Sequence, residues 1–221
     1  MGLKLYLFDI DGTLIHAGKT PSQFFAESIE AITGIPVVFP KGIFLGRTDT
    51  FIIREMLRLI DLPSADGYYE RIRELFIQRM KDEFPRSTDG FIIPGALDYL
   101  ENISRNPQIK IGLVTGNFHT TAYIKLDRYG LASYFITGGF GEDAEDRNEL
   151  VRQAVKKASS HFQTDFKPEN ITVFGDTCRD IESARYHGFH SVAISRVRDK
   201  QELATAQPDI LIDNFFELKD L

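Results

Sequence analysis

Asp9 and Asp11 stand two residues apart in Phe8-Asp9-Ile10-Asp11-Gly12-Thr13, directly after the apolar run 3–8. Side chains at i and i+2 of a strand point the same way, so this run delivers two carboxylates to one strand's C-terminal end, just before a glycine turn. Acids so close repel each other, which raises at least one pKa unless a cation lies between them. The arrangement suits a nucleophile with an acid/base partner. The same residue types also close Asx turns and cap helices, and the pair alone leaves both readings open.

Two further apolar runs end in polar residues. Residues 109–114 are followed by Thr115-Gly116-Asn117, which offer a hydroxyl, a side-chain amide and free backbone N–H groups at the start of a helix. That is an anion cradle, and a Thr/Asn helix cap would use the same N–H groups. Residues 171–174 are followed by Gly175-Asp176-Thr177-Cys178-Arg179-Asp180, which adds two more carboxylates. Four acids at the ends of parallel strands imply a hard cation. Mg²⁺ takes oxygen ligands, usually one or two carboxylates together with phosphate and water, and this inventory supplies them. The alternative for Asp180 is to cap the helix that follows. Arg147, at the first turn of a later helix, is the cation available for phosphoryl oxygens; a salt bridge with Asp143 or Glu149 is its other reading.

The elements that must position these groups are legible from periodicity. Strand-length apolar runs recur at 3–8, 109–114, 134–136, 171–174, 191–194 and 209–212, and helix-like stretches at 119–129, 147–161 and 179–187 separate most of the later ones. Strand and helix in alternation give an α/β fold, a Rossmann-like three-layer core with a parallel sheet. The interval of about a hundred residues between the first two strands is too long for one crossover. It reads as helices: one capped by Thr20 and running from Pro21 to Gly34, one capped by Thr48 or Asp49 and running to Leu59, and one from Ala65 to Glu83. These place a helical cap domain at 16–88, inserted into a core formed by 1–15 and 89–221, able to hinge over the sheet's C-terminal edge.

Composition narrows the partners. The 221 residues are 43% apolar, enough for a full core, with net charge −6 and a pI near 5.4. No Lys/Arg block reads as a nucleic-acid or membrane footprint, so neither partner is expected. Cys178 is the single cysteine, so no intramolecular disulfide forms, and the N-terminal apolar run is too short for a signal-peptide core. A cytoplasmic protein is expected. Oligomeric state is not legible, because an apolar patch on the cap can meet either the core or another subunit.

In sequence order, Asp9-Ile10-Asp11-Gly12-Thr13, Thr115-Gly116-Asn117, Arg147 and Gly175-Asp176 with Asp180 resemble the four motifs of the haloacid dehalogenase-like hydrolases, specifically the small-molecule phosphatases with a helical C1-type cap, phosphoglycolate phosphatases among them. The resemblance covers essentially the whole chain. It implies that Asp9 is a nucleophile forming an aspartyl-phosphate and that Asp11 protonates the leaving oxygen, then activates water. It implies Mg²⁺ held by Asp9, Asp176 and the Asp11 carbonyl, with Asp180 as a ligand or an orienting group, and phosphate oxygens held by Thr115, Gly116 and Asn117. The third motif is more often Lys than Arg. A small phosphorylated metabolite is the implied partner, with phosphoglycolate-like and sugar-phosphate esters the leading candidates.

Caps of this family select substrate, which draws attention to Gly46-Arg47-Thr48-Asp49. Arg47 precedes a helix N-terminus and can receive a distal carboxylate or second phosphate there; a solvated surface Arg is the other reading. Competing functions are a sugar-phosphate phosphomutase, a metal-free dehalogenase that would leave Asp11, Asp176 and Asp180 without a purpose, and a non-catalytic phospholigand-binding protein. His16 and His119 lie near the motifs without metal-ligand spacing and are given no catalytic part.

Overall fold

The computed structural model describes residues 2–39, 42, 45–62 and 67–218. β1 (Lys4–Phe8) lies inside a six-stranded parallel sheet, paired with β4 (Ile109–Val114) on one side and β6 (Ile171–Gly175) on the other. β5 (Gly138–Gly139) continues beyond β4, and β7 (His190–Ile194) and β8 (Ile210–Ile212) continue beyond β6, in the order β5-β4-β1-β6-β7-β8. The chain builds outward from β1 in one direction and then restarts in the other. β1 is therefore at the switch point, where open α/β sheets leave a crevice beyond the strand C-termini.

The alternation within β1 explains the layers. Tyr6 and Phe8 face a core rich in aromatic rings, where Phe8 stacks on Phe174 with centroids 4.3 Å apart, and α4 (Ala96–Ser104) and α5 (His119–Arg128) close that side. Leu5 and Leu7 face the other way, onto Leu150, Val151 and Ala154 of α6 (Arg147–Phe162) and Ala184 of α7 (Cys178–Tyr186). Each of these two leucines is fully buried, which contributes roughly 1.5–3 kcal/mol apiece. α8 (Lys200–Thr205) packs Leu203 against Ile181 and Ala193. The fold is thus the expected α/β three-layer core. No described helix is long and apolar enough to cross a membrane.

Between residues 17 and 90 the described residues form three α-helices, α1 (Thr20–Thr33), α2 (Asp49–Leu59) and α3 (Tyr68–Asp82). α3 buries Ile72, Phe76 and Met80, a stripe of period four, and Phe76 meets Phe25 of α1 at 4.1 Å between ring centroids. Its expected start, Ala65, lies outside the described residues. The helices spring from a stem in which β2 (Ile15–His16) and β3 (Phe91–Ile92) pair antiparallel.

Two expectations are corrected. Thr20 does not cap α1. The N-cap is Lys19, and the Thr20 hydroxyl donates to Asp89 across the stem, where Asp89 also accepts the Lys19 N–H. The strand expected at 134–136 is absent: Ala132–Tyr134 is a 3₁₀ turn, Ile136 is largely exposed, and the edge strand is the glycine pair β5. A side chain is excluded there because a Cβ on Gly138 would stand 2.7 Å from that of Leu113. α4 carries no polar cap signal, since its N-cap is Gly95 in the left-handed region.

Candidate active site

All four motifs meet beyond the C-terminal ends of β1, β4 and β6. The Asp9 N–H still bonds the Phe174 carbonyl at 2.9 Å, so its carboxyl is set by the sheet and not by a mobile loop. Gly12, at φ +84°, lets Asp176 approach the turn after β1; a Cβ there would fall 1.9 Å from Asp176 Oδ2. The buried Asp9, Asp176 and Asp180 each place a carboxylate oxygen within 4.8 Å of the others.

Two arginines neutralise part of this cluster. Arg147, itself buried, donates to Asp180 Oδ1 and to the Val114 carbonyl at 3.1 Å, and stands 3.6 Å from Asp9 Oδ1. Asp143 and Glu149, its alternative partners, are engaged by Lys157 and Arg152. Asp180 Oδ2 accepts from the Thr177 N–H at 3.0 Å and its hydroxyl at 2.6 Å, so Asp180 does cap α7 while its other oxygen holds Arg147. Arg198 brings Nε to 2.5 Å from Asp176 Oδ2, although that oxygen has no aligned hydrogen-bond partner.

Burial dominates the electrostatics. It pushes the Asp9 carboxyl up to about 7, with Arg147 opposing and Asp180 and Asp11 adding to the rise. It also raises Asp176, against the pull of Arg198. Burial works against the Arg147 charge, but Asp180 and Asp9 more than offset it and its pKa rises.

The second motif forms a network with Asp11. Asn117 Nδ2 donates to Asp11 Oδ2 at 2.7 Å and to Thr115 Oγ1 at 2.8 Å. Lys125, four per cent exposed, donates to the same Asp11 oxygen at 2.7 Å and to Asn117 Oδ1 at 2.6 Å. Lys125, like Arg198 beside Asp176, is a site side chain that the motifs do not reveal. Its signal is present: α5 buries Thr121, Ala122, Lys125 and Leu126, and a lysine on the buried stripe of a helix needs a charge partner.

The inserted helices dock on this motif. The Asp49 N–H donates to the Gly116 carbonyl at 2.7 Å, and Asp49 Oδ2 accepts from the Phe118 N–H at 3.0 Å at the start of α5. Gly116 has no room for a side chain, since a Cβ would lie 2.4 Å from the Arg47 carbonyl. Thr48, not Asp49, caps α2, which frees Asp49 for this contact. Burial pushes the Asp49 carboxyl up to about 7, opposed by Lys125 and the Phe118 N–H. A carboxyl raised in the folded state stabilises fully below its unfolded value and loses that contribution as pH rises through the folded one. Metal-free protein should therefore lose stability between pH 4 and 8. Asp49→Asn, which keeps the acceptor, should flatten that dependence by on the order of 2 kcal/mol, read from Tm across the range.

The family profile of haloacid dehalogenase-like hydrolases matches residues 3–188. The chain belongs to this family. Pyrophosphatase PpaX of Oceanobacillus iheyensis is 27% identical, aligned over 100% of this chain and 96% of its own. A phosphoglycolate phosphatase of Nitrosococcus oceani is 22% identical over 99% of this chain and 96% of its own. Among solved structures, β-phosphoglucomutase of Clostridium difficile shares the fold, with TM-score 0.74 and 14% identity over 98% of this chain and 93% of that one.

This haloacid dehalogenase-like hydrolase is accordingly an enzyme, whose curated relatives are named phosphatases. Arg47 lines the same cavity as Asp9, but its guanidinium lies 4.5 Å over the Phe51 ring and makes no ion pair among the described residues. Lys125→Met removes the charged partner of Asp11 and should lower kcat by on the order of 10²-fold with little change in KM. Lys125→Arg should recover part of the loss, and the pH–rate profile should shift in the Met variant; a merely structural lysine would leave that profile in place.

Proposed function

We propose that this chain is a cytoplasmic, Mg²⁺-dependent phosphatase that hydrolyses a small phosphomonoester through an aspartyl-phosphate on Asp9. The observation that carries the reading is the buried trio of Asp9, Asp176 and Asp180, of which Asp9 and Asp176 line one crevice with the Thr115–Asn117 cradle. Residues 16–88 act as the cap and 1–15 with 89–221 as the core.

The acid cluster fits a hard divalent cation. Burial raises Asp9 and Asp176 even with Arg147 and Arg198 beside them, so the cluster takes further positive charge favourably, and Asp176 Oδ2 is buried without an aligned donor. Asp9, Asp176 and the Asp11 carbonyl would hold Mg²⁺, and Asp180, whose two oxygens are already engaged, orients Arg147 and the Thr177 turn. When bound, Mg²⁺ supplies positive charge that lets an anionic nucleophile approach an anionic phosphate.

The chain's own residues do the rest. An Asp9 oxygen attacks phosphorus in line and the bond to the leaving oxygen breaks, while Asp11 gives that oxygen its proton. Asp11 then takes a proton from water, which attacks phosphorus and releases Asp9. Thr115 Oγ1 and the Gly116 and Asn117 amides hold the phosphoryl oxygens, Arg147 offsets their charge, and Arg47 meets the substrate from the cap side.

The test is phosphate release from a panel of metabolite phosphomonoesters with added Mg²⁺, repeated with EDTA and with Asp9→Asn as blank. Release that needs both Mg²⁺ and Asp9 is expected. Release unaffected by EDTA would remove the metal from the account, and isomerisation of a sugar phosphate without net phosphate would make the protein a mutase.

A further inference from the structure

The cavity above Asp9 holds about 360 Å³, and its two ends differ in chemistry. The core end is charged and polar: Asp9, Asp11, Asn117, Lys125 and Arg147. The end made by the inserted helices is built from Pro21, Phe25, Phe39, Leu45, Ile52 and Phe76. Phe25 anchors that wall, edge-on to Phe39 with centroids 6.1 Å apart and 4.1 Å from Phe76.

Among the described residues, few polar groups on that side are available to a ligand. Asp49 has its carboxylate on the Phe118 N–H, and Ser22 donates to the Lys19 carbonyl at 2.8 Å. Arg47 abuts Gly116 by its backbone at the phosphoryl end, and its guanidinium stacks on Phe51 with Nε unpartnered among the described residues, so this cation of the inserted segment is left for the phosphoryl group and not for the alcohol. A leaving group rich in hydroxyls, or one ending in a carboxylate, would set those groups against aromatic rings. Burying a polar group without a partner is unfavourable, whereas burying hydrocarbon there is favourable. Size points the same way, because 360 Å³ is the space of about a dozen waters, and with a phosphoryl group at the core end there is still room beside the apolar wall for an alcohol larger than glycolate.

From this wall we infer that the substrate is a phosphomonoester whose alcohol carries an uncharged aromatic or branched hydrocarbon body, in place of the acidic or sugar ester to which the family resemblance points. The inference rests on the phosphatase reading above and adds the substrate class to it.

Alkyl esters with comparable leaving groups separate the two. Wild-type protein with Mg²⁺ would be given 2-phenylethyl phosphate, phosphoglycolate, glycerol phosphate and a hexose phosphate, with Asp9→Asn as the blank. The expected kcat/KM is at least tenfold higher for 2-phenylethyl phosphate, the scale of burying a ring against apolar side chains. Ile52→Asn should erase most of that advantage through KM, lowering kcat/KM for 2-phenylethyl phosphate several-fold more than for phosphoglycolate. Phe76→Ala tests the same wall at greater risk to the cap's packing, and the wild-type comparison needs no variant. Asp9-dependent hydrolysis that favours the carboxylated or hydroxylated esters, or treats all equally, overturns the substrate class and leaves the phosphatase reading standing. Absence of Asp9-dependent release from every ester overturns both.

Discussion

Asp9→Asn should lower turnover at least about 10⁴-fold while the protein stays folded, because in the proposed mechanism it removes the nucleophile and with it the covalent route, leaving only positioning. The amide is nearly isosteric and keeps the β1–β6 ladder intact. It should even stabilise metal-free protein at alkaline pH. Burial raises the Asp9 carboxyl to about 7, so its contribution to stability is present below the unfolded value near 4 and is lost as pH rises through about 7. The neutral side chain does not undergo that loss. Steady-state phosphate release and Tm at pH 5 and 8 check both parts; equal turnover, or a variant that is unfolded at pH 8, would contradict them.

The second large effect belongs to Arg147. It is buried between Asp180 and Asp9 and also holds the Val114 carbonyl, so Arg147→Met leaves two buried carboxylates uncompensated. Breaking a buried pair from one side costs about 3–5 kcal/mol. The loss should be greater at pH 8 than at pH 5, where Asp9 can take up a proton. Activity should fall by on the order of 10³-fold, the scale of removing one charge-stabilising donor. Arg147→Lys keeps the charge, and because a single guanidinium nitrogen, Nη2, meets the Val114 carbonyl, Asp180 and Asp9, a lysine ammonium can take over part of that role and should recover most of the stability and part of the rate. Urea unfolding in metal-free buffer, alongside kcat with Mg²⁺, separates the two effects. A Met variant as stable as wild type would show that Asp180 and Asp9 do not need this guanidinium.

The chemistry was legible where it sits at the end of an apolar run. β1, β4 and β6 each announce themselves by hydrophobicity, and Asp9, Thr115 and Asp176 follow them directly, so parallel pairing alone brings those positions to one edge. Residues that reach the site from elsewhere carried weaker signals. Lys125 arrives two turns into α5 and could be found only as a charge on a buried stripe. Arg198 comes from the segment after β7, with no pattern pointing to Asp176. Thr48 and Asp49 both read as caps of α2; Thr48 takes that place and Asp49 crosses to α5, a choice fixed by tertiary packing and not by local propensity. The glycine edge strand β5 was missed for a physical reason: its identity is set by the space Leu113 leaves, and glycines carry no apolar pattern. Thr20 likewise looked like a cap because nothing local reveals Asp89 across the stem.

The central claim is that Asp9 takes the phosphoryl group. Protein turning over a phosphomonoester with Mg²⁺ can be acid-quenched within a few turnovers and its peptides mapped by mass spectrometry. The phosphoryl group should be found on the peptide spanning β1, localised to Asp9, and should be absent from Asp9→Asn. Turnover that leaves no covalent phosphoryl group on Asp9, or places it on another residue, would contradict the account.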